Sequence, residues 1–262
     1  MIKFFRKIRQ SLLGENKFTK YLLYAFGEIV LVVIGILIAL QINNSNEARK
    51  ERAREISYLR NVKADLQKEV ANNDQFARYH FEKAETCSVL LTSEAPKTIE
   101  EVRVYTDRYE LVFMWFAFVP NNNTFKELLS SGNLSLIRND RIKNGLLELD
   151  KLYAKIAGAE HHMRREYEAY LYDPAIKNVS ALGFLDITKP KLGFPDRLAV
   201  EAIPESAYGK LIADAQWQYN DQTFQNGLRL AFMNNGILAD MHKTVKEYIQ
   251  ELIRLIEEEI DR

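Results

Sequence analysis

Apolar positions in this chain fall into one unbroken block near the N-terminus and then into long stripes at helical spacing. From Tyr21 to Ile42 the sequence reads YLLYAFGEIVLVVIGILIALQI, with Glu28 and Gln41 as its strongly polar side chains. At about 1.5 Å rise per residue this block makes a helix roughly 33 Å long, close to the thickness of a bilayer's hydrocarbon core. A cleaved signal peptide is the competing reading. Its apolar region would be shorter and would end in a small-x-small site, whereas this block runs into Gln41-Ile42-Asn43-Asn44. The pattern therefore predicts one transmembrane helix over residues 21–42. Within it Ala25, Glu28, Val32, Gly35 and Ala39 step by 3 and 4 and share a face. Gly35 and Ala39 form a small-xxx-small pair that allows close helix approach, so this face is the candidate for self-association or for docking on a membrane partner. A carboxyl at Glu28 is costly at that depth unless it is protonated, paired or snorkelling.

Beyond the block the pattern is helical almost throughout. Residues 46–91 lack Gly and Pro, and Ile56, Leu59, Leu66, Val70, Phe76, Ala77, Phe81 and Ala84 recur at roughly helical spacing. After a break at Ser93–Pro96, Thr98 and Glu101 form a capping-box pattern opening a second helix. That helix is expected to end in the apolar run Leu111–Val119, buried on all sides and stopped by Pro120. Thr124-x-x-Glu127 is a second capping-box pattern, opening a short helix over 125–130 that Gly132 closes in a left-handed cap. Leu134, Leu136 and Ile137 should be buried. Asn139 should cap a helix over 140–172, with Ile142, Leu146, Leu149, Leu152, Tyr153 and Ile156 inside and Asp173-Pro174 at its end. Residues 173–206 hold four prolines together with Gly183 and Gly193 and read as an irregular loop. A helical pair, or one long helix, occupies 206–262. There Leu238, Met241, Val245, Leu252 and Leu255 fit heptad-like positions, with Ile249, Ile253, Ile256 and Ile260 widening the stripe. The expected fold class is all-α: one transmembrane helix followed by an elongated antiparallel helical bundle. The expected domains are a basic tail (1–20), the span (21–42) and a soluble helical domain (43–262).

Charge adds a direction to this picture. Formal net charge is zero, but residues 1–20 carry six Lys and Arg against Glu15, a net of +5. With −1 in the span, residues 43–262 sum to −4. Lys20 abuts the span, whereas the first basic residue after it is Arg49. The positive-inside rule then places the N-terminus in the cytoplasm and the domain outside. A mildly acidic domain is a poor nucleic-acid binder. The expected partners are the bilayer and a second copy or another membrane protein. A single cysteine, Cys87, excludes an internal disulfide and reads as a small core residue.

The search for chemistry yields no catalytic, cofactor or metal assignment. No G-x-S-x-G, G-x-G-x-x-G or P-loop pattern is present. His161-His162 are adjacent and so lie about 100° apart on a helix, which suits one metal poorly even with Glu160 and Glu166 nearby. His80 and His242 stand alone in the sequence and read as polar contacts between helices. Glu257-Glu258-Glu259 is a solvated charge run.

Two stretches carry a resemblance. The first is Glu28-Ile-Val-Leu-Val-Val-Ile-Gly35-Ile-Leu-Ile-Ala39-Leu-Gln41-Ile-Asn43-Asn44, preceded by Phe4-Phe5-Arg6-Lys7-Ile8-Arg9. The second is Thr124, Phe125, Glu127, Leu128, Ser130, Ser131, Gly132, Asn133, Leu134, Leu136 and Ile137. Together they resemble an uncharacterised family of membrane-anchored proteins, common in Bacteroidota, that has a domain of unknown function. Where that family has Trp-Asn after Asn44, this chain has Ser45-Asn46. The resemblance implies topology and an inner-membrane address and no activity. The functional expectation is a membrane-tethered interaction, sensory or scaffold module. The alternatives are an enzyme whose site lies in the 173–206 loop or near His161-His162, with Phe184, Phe194, Tyr208 and Trp217 as possible pocket walls, and an accessory subunit of a membrane complex.

Overall fold

The computed structural model describes residues 18–180 and 184–262. Most of the basic tail and Gly183 lie outside the described residues. The chain divides into two compact units, one ending at Tyr58 and one spanning Leu59–Arg262.

In the first unit the described residues form a single helix, the beginning of α1 (Phe18–Thr92). It holds the one described segment long and apolar enough to cross a membrane, and none of that segment is buried within the protein. Val32, Gly35 and Ala39 are exposed, and Ala25 and Glu28 are half-buried. A Cβ added at Gly35 would meet nothing.

The second unit is a helical bundle, with no strand among the described residues. Its helices are the rest of α1, α2 (Ile99–Phe113), α3 (Asn123–Ser130), α4 (Asp140–Tyr167), α5 (Asp173–Asn178), α6 (Glu205–Asn220) and α7 (Gln222–Ile260). Three of them form the core by strict alternation of steps of three and four. On α1 the inward series is Leu59, Val62, Leu66, Glu69, Asn73, Phe76, His80, Lys83, Cys87 and Leu90. On α4 it is Ile142, Leu146, Leu149, Tyr153, Ile156, Glu160, Met163 and Tyr167. On α7 it is Phe224, Leu228, Ala231, Asn235, Leu238, His242, Val245, Ile249, Leu252, Ile256 and Glu259. All are buried except the half-buried Phe76. A 3.5-residue period keeps one seam facing the neighbouring helices, and each fully buried Leu, Ile or Phe contributes about 1.5–3 kcal/mol. Lys63–Glu257, Asn73–His242 and His80–Asn235 contacts run in opposite sequence directions along α1 and α7. The same holds for Asn139–Glu259 and Tyr167–Asn235 on α4 and α7. Both α1 and α4 are therefore antiparallel to α7.

Several expectations change. Phe81, placed on the stripe of α1, is exposed, and His242 and Ile256 take the seam positions assigned to Met241 and Leu255. Leu152, Leu134 and Leu136 are half-buried, while Ile137 is fully buried. The apolar run 111–119 leaves the helix at Phe113 and continues as a non-helical strap through Asn122. It is not buried all round, since Leu111, Met114, Phe116 and Val119 are exposed. Side chains replace the missing helical hydrogen bonds. Tyr172 Oη donates to Phe113 O (2.8 Å), while Tyr79 Oη (2.6 Å) and Lys83 Nζ (2.7 Å) donate to Met114 O. The Phe118 N–H donates to Glu160.

The Thr98–Glu101 capping box forms, and Asn139 caps α4 as expected. The second box does not form. Thr124 lies inside α3, and both its N–H and its hydroxyl donate to Asp65 Oδ2 of α1 at 3.0 and 2.7 Å. A carboxylate from a neighbouring helix is the stronger acceptor. Gly132 takes φ +72°, as a left-handed cap requires. Asp173-Pro174 does not end the helical path. A π-helical turn over Glu168–Tyr172 widens the spiral, and Pro174 enters the first turn of α5. The 206–262 region resolves into a pair hinged at Asp221, whose carboxylate accepts the Phe224 N–H (2.8 Å).

Candidate functional site

The second unit contains a cavity of about 350 Å³ between α2, the Tyr172 turn, α5, Phe184 and α6. The amphipathic face of α2 supplies Val102, Tyr105, Tyr109, Glu110 and Phe113. Ala175 and Ile176 come from α5, Val179 is the residue just after it, and Leu211, Asp214, Ala215 and Gln218 come from α6. The wall is mainly apolar and aromatic. Tyr109 packs on Phe113 at 4.0 Å between ring centroids, and Phe113 on Tyr172 at 4.8 Å.

The irregular segment 184–203 closes one side. Leu185 and Arg197 form an antiparallel bridge, flanked by Asp186 N to Asp196 O and Leu198 N to Phe184 O hydrogen bonds, each 2.7 Å. Arg103 of α2 fastens it. Its guanidinium lies 5.4 Å from the centre of the Phe184 ring and donates to Leu198 O at 2.8 Å. Arg197 reaches back to Asp107 and to Glu110 Oε2 (2.5 Å).

The polar groups in this cavity are few and incompletely satisfied, the usual composition of a small-molecule site. Glu110 Oε1 and the Tyr105 hydroxyl are buried without hydrogen-bond partners. Burial pushes the Glu110 carboxyl above the usual carboxylate range, against the pull of Arg103. Burial likewise raises the Tyr105 and Tyr109 phenols, leaving both as neutral groups able to donate. Asp214 Oδ2 accepts the Ser180 N–H at 2.7 Å.

Of the aromatic residues read as possible walls, only Phe184 lines the cavity. Phe194 is exposed, Tyr208 turns to Val200 O, and Trp217 packs on Phe224. His161 and His162 are exposed, and His162 pairs with Glu166 (3.1 Å). Cys87 is fully buried, with its thiol pushed up to about 12 by desolvation. The stretch Thr124–Ile137 serves the fold: Phe125, Leu128 and Ile137 are buried, and Ser131 Oγ closes the turn on Glu127 O (2.7 Å). Leu136 is half-buried, and Asn133 opens a 3₁₀ turn.

A second cluster lies on the seam itself. His80, Glu160 and His242, all buried, each offer a ligand atom within 4.8 Å of the others. The sequence separates them by 80 and 82 positions, and only the shared seam brings them together. The signal that could have found them is the uninterrupted 3–4 spacing, read without regard to polarity.

Residues 28–192 match the Family of unknown function (DUF6090). The chain belongs to that family. The DUF6090 match takes in most of the apolar block, α2 to α5, and Tyr105, Glu110, Glu160 and His80. It ends before α6 and α7, so Asp214, Ala215 and His242 lie outside the DUF6090 region. No curated protein and no solved structure matches the chain.

Proposed function

We propose that this chain is a membrane-tethered binding module whose helical domain takes up a small, largely apolar molecule bearing a hydrogen-bond donor. The observation that carries this reading is the cavity beside α2. It has an aromatic and aliphatic wall and one buried carboxylate oxygen, Glu110 Oε1, without a donor. A ligand ammonium or hydroxyl would satisfy that oxygen, and its hydrocarbon body would replace empty space with contacts. The tether is the apolar start of α1. We place the N-terminus on the cytoplasmic side and the domain in the periplasm, on the charge asymmetry around the span. The face of Ala25, Glu28, Val32, Gly35 and Ala39 is assigned to self-association or to a membrane-protein partner.

Phenethylamine, 2-phenylethanol and toluene titrated into the full-length chain in nanodiscs test the binding reading. The signal is the uptake by wild type beyond that of Ala215→Phe, which fills the cavity. Saturable uptake is expected, tightest for phenethylamine, and Glu110→Gln should weaken phenethylamine by about 10- to 100-fold with little effect on toluene. Equal uptake of all three probes by wild type and Ala215→Phe, at unchanged helix content, would overturn the proposal.

A further inference from the structure

The second cluster is separate from the cavity: it is built by α1, α4 and α7 rather than by α2, α5 and α6. We propose that His80, His242 and Glu160 bind a divalent transition-metal ion of the zinc class inside the bundle. The argument starts from the tautomers. Asn235 Nδ2 donates to Tyr167 Oη (3.0 Å) and Ala231 O (2.7 Å), which fixes its amide and turns Oδ1 to His80 Nδ1 at 2.8 Å. Asn73 Nδ2 donates to Glu69 O (3.0 Å) and Glu69 Oε1 (2.8 Å), which turns Oδ1 to His242 Nδ1 at 2.9 Å. Both amide oxygens must accept, so both Nδ1 atoms carry the proton. Each Nε2 is then a bare lone pair, and both Nε2 atoms are buried without a hydrogen-bond partner. His80 is 1% exposed and His242 is 0% exposed.

Two imidazoles held by amide oxygens on their far nitrogens, with a carboxylate beside them, match how metal-binding histidines are oriented. The Glu160 oxygens share one donor, the Phe118 N–H at 3.1 and 3.3 Å, which leaves lone pairs on both for an ion. The set is two nitrogens and one carboxylate, which suits zinc and its neighbours better than magnesium or calcium. Ligand atoms around a tetrahedral zinc stand about 3.4 Å apart, so these three would draw together slightly from their 4.8 Å spread. The two ring planes are nearly parallel, at 11°, with centroids 5.7 Å apart, so one ring would also have to turn for both in-plane lone pairs to meet at the ion. Phe76 and Phe118 wall the His242 ring at 5.4 and 4.8 Å, which keeps competing water away. Glu69, bonded through Asn73, adds a second carboxylate at one remove from the ion.

The test uses the full-length chain in nanodiscs, stripped with a chelator, reloaded with zinc and dialysed, with metal counted by mass spectrometry. About one zinc per chain is expected, unaffected by His161→Gln or His162→Gln. His242→Gln and the isosteric Glu160→Gln should each weaken binding at least 100-fold, and Asn235→Leu by about 10- to 100-fold through loss of orientation. Circular dichroism reports whether each variant folds. Cobalt(II) added to wild type needs no variant: visible bands of a nitrogen-ligated, low-coordinate ion support the site. Only the spectrum of hydrated cobalt, or wild type retaining no more zinc than His242→Gln, overturns it.

Discussion

Lys83 shows what a single inward position can cost. It is 3% exposed, and its ammonium lies 5.1 to 5.6 Å from the ring centres of Tyr79, Trp115 and Tyr167. Desolvation brings its pKa down to about 8 from 10.5. The folded state thus binds fewer protons than the unfolded state between those values, and stability rises with pH across that window. Lys83 should contribute a rise of roughly 1–3 kcal/mol between pH 8 and 10.5. Cys87, whose thiol is pushed up to about 12 from 9.0, acts in the opposite sense from about pH 9 upwards. The diagnostic quantity is therefore the wild-type curve minus that of Lys83→Met, measured by denaturant unfolding. The difference should rise across the window, with Lys83→Met at least as stable as wild type at pH 7. At this scale the sequence was legible only for apolar residues. Glu69, Asn73, His80, Lys83, Asn235 and His242 occupy seam positions, but a hydrophobic stripe records a polar residue as an interruption. The partners they find on other elements are 31 to 169 residues away in sequence, beyond any local pattern.

Among the elements, helix starts were the more readable feature. The Thr98 box and the Asn139 cap are closed by atoms within three residues, so local sequence contains the whole interaction. The Thr124 pattern failed because its competitor, Asp65, lies 59 residues away. The path through Pro174 was hidden for a related reason. Whether a proline stops a helix depends on where its turn can open, and here the π turn opens against α7. A Cβ added to Gly227 would lie 2.8 Å from Leu171 Cδ2 and 2.9 Å from Tyr170 O, so a backbone atom blocks it. At Gly145 the near contact is the tip of Leu252, at 2.9 Å, which can rotate away. Thermal unfolding should accordingly show Gly227→Ala destabilised by about 1–3 kcal/mol, and Gly145→Ala by clearly less. Equal effects would mean that the π turn yields easily.

For the whole molecule, the all-α class and the apolar block were the most legible features, because each is written in dozens of consecutive positions. The cavity was not, since its walls come from α2, the Tyr172 turn, α5, Phe184 and α6, and its closure depends on Arg103 reaching an irregular segment and Arg197 reaching back from it. The proposed association face has a direct check. In membranes, Gly35→Cys and Ala39→Cys should cross-link between copies, while Leu37→Cys, about 200° round the helix from Gly35, should not. Absence of dimers at both positions would remove self-association and leave docking on a different protein. The non-helical strap after α2 carries a last consequence. Tyr79, Lys83, Tyr172 and Glu160 hydrogen-bond to its peptide groups. Such a grip is blind to residue identity but strict about count. Phe116 and Val119 should tolerate exchange among relatives, whereas inserting or deleting one residue between Met114 and Phe118 would break the spacing between the gripped carbonyl and the gripped amide, so that both could not be held together.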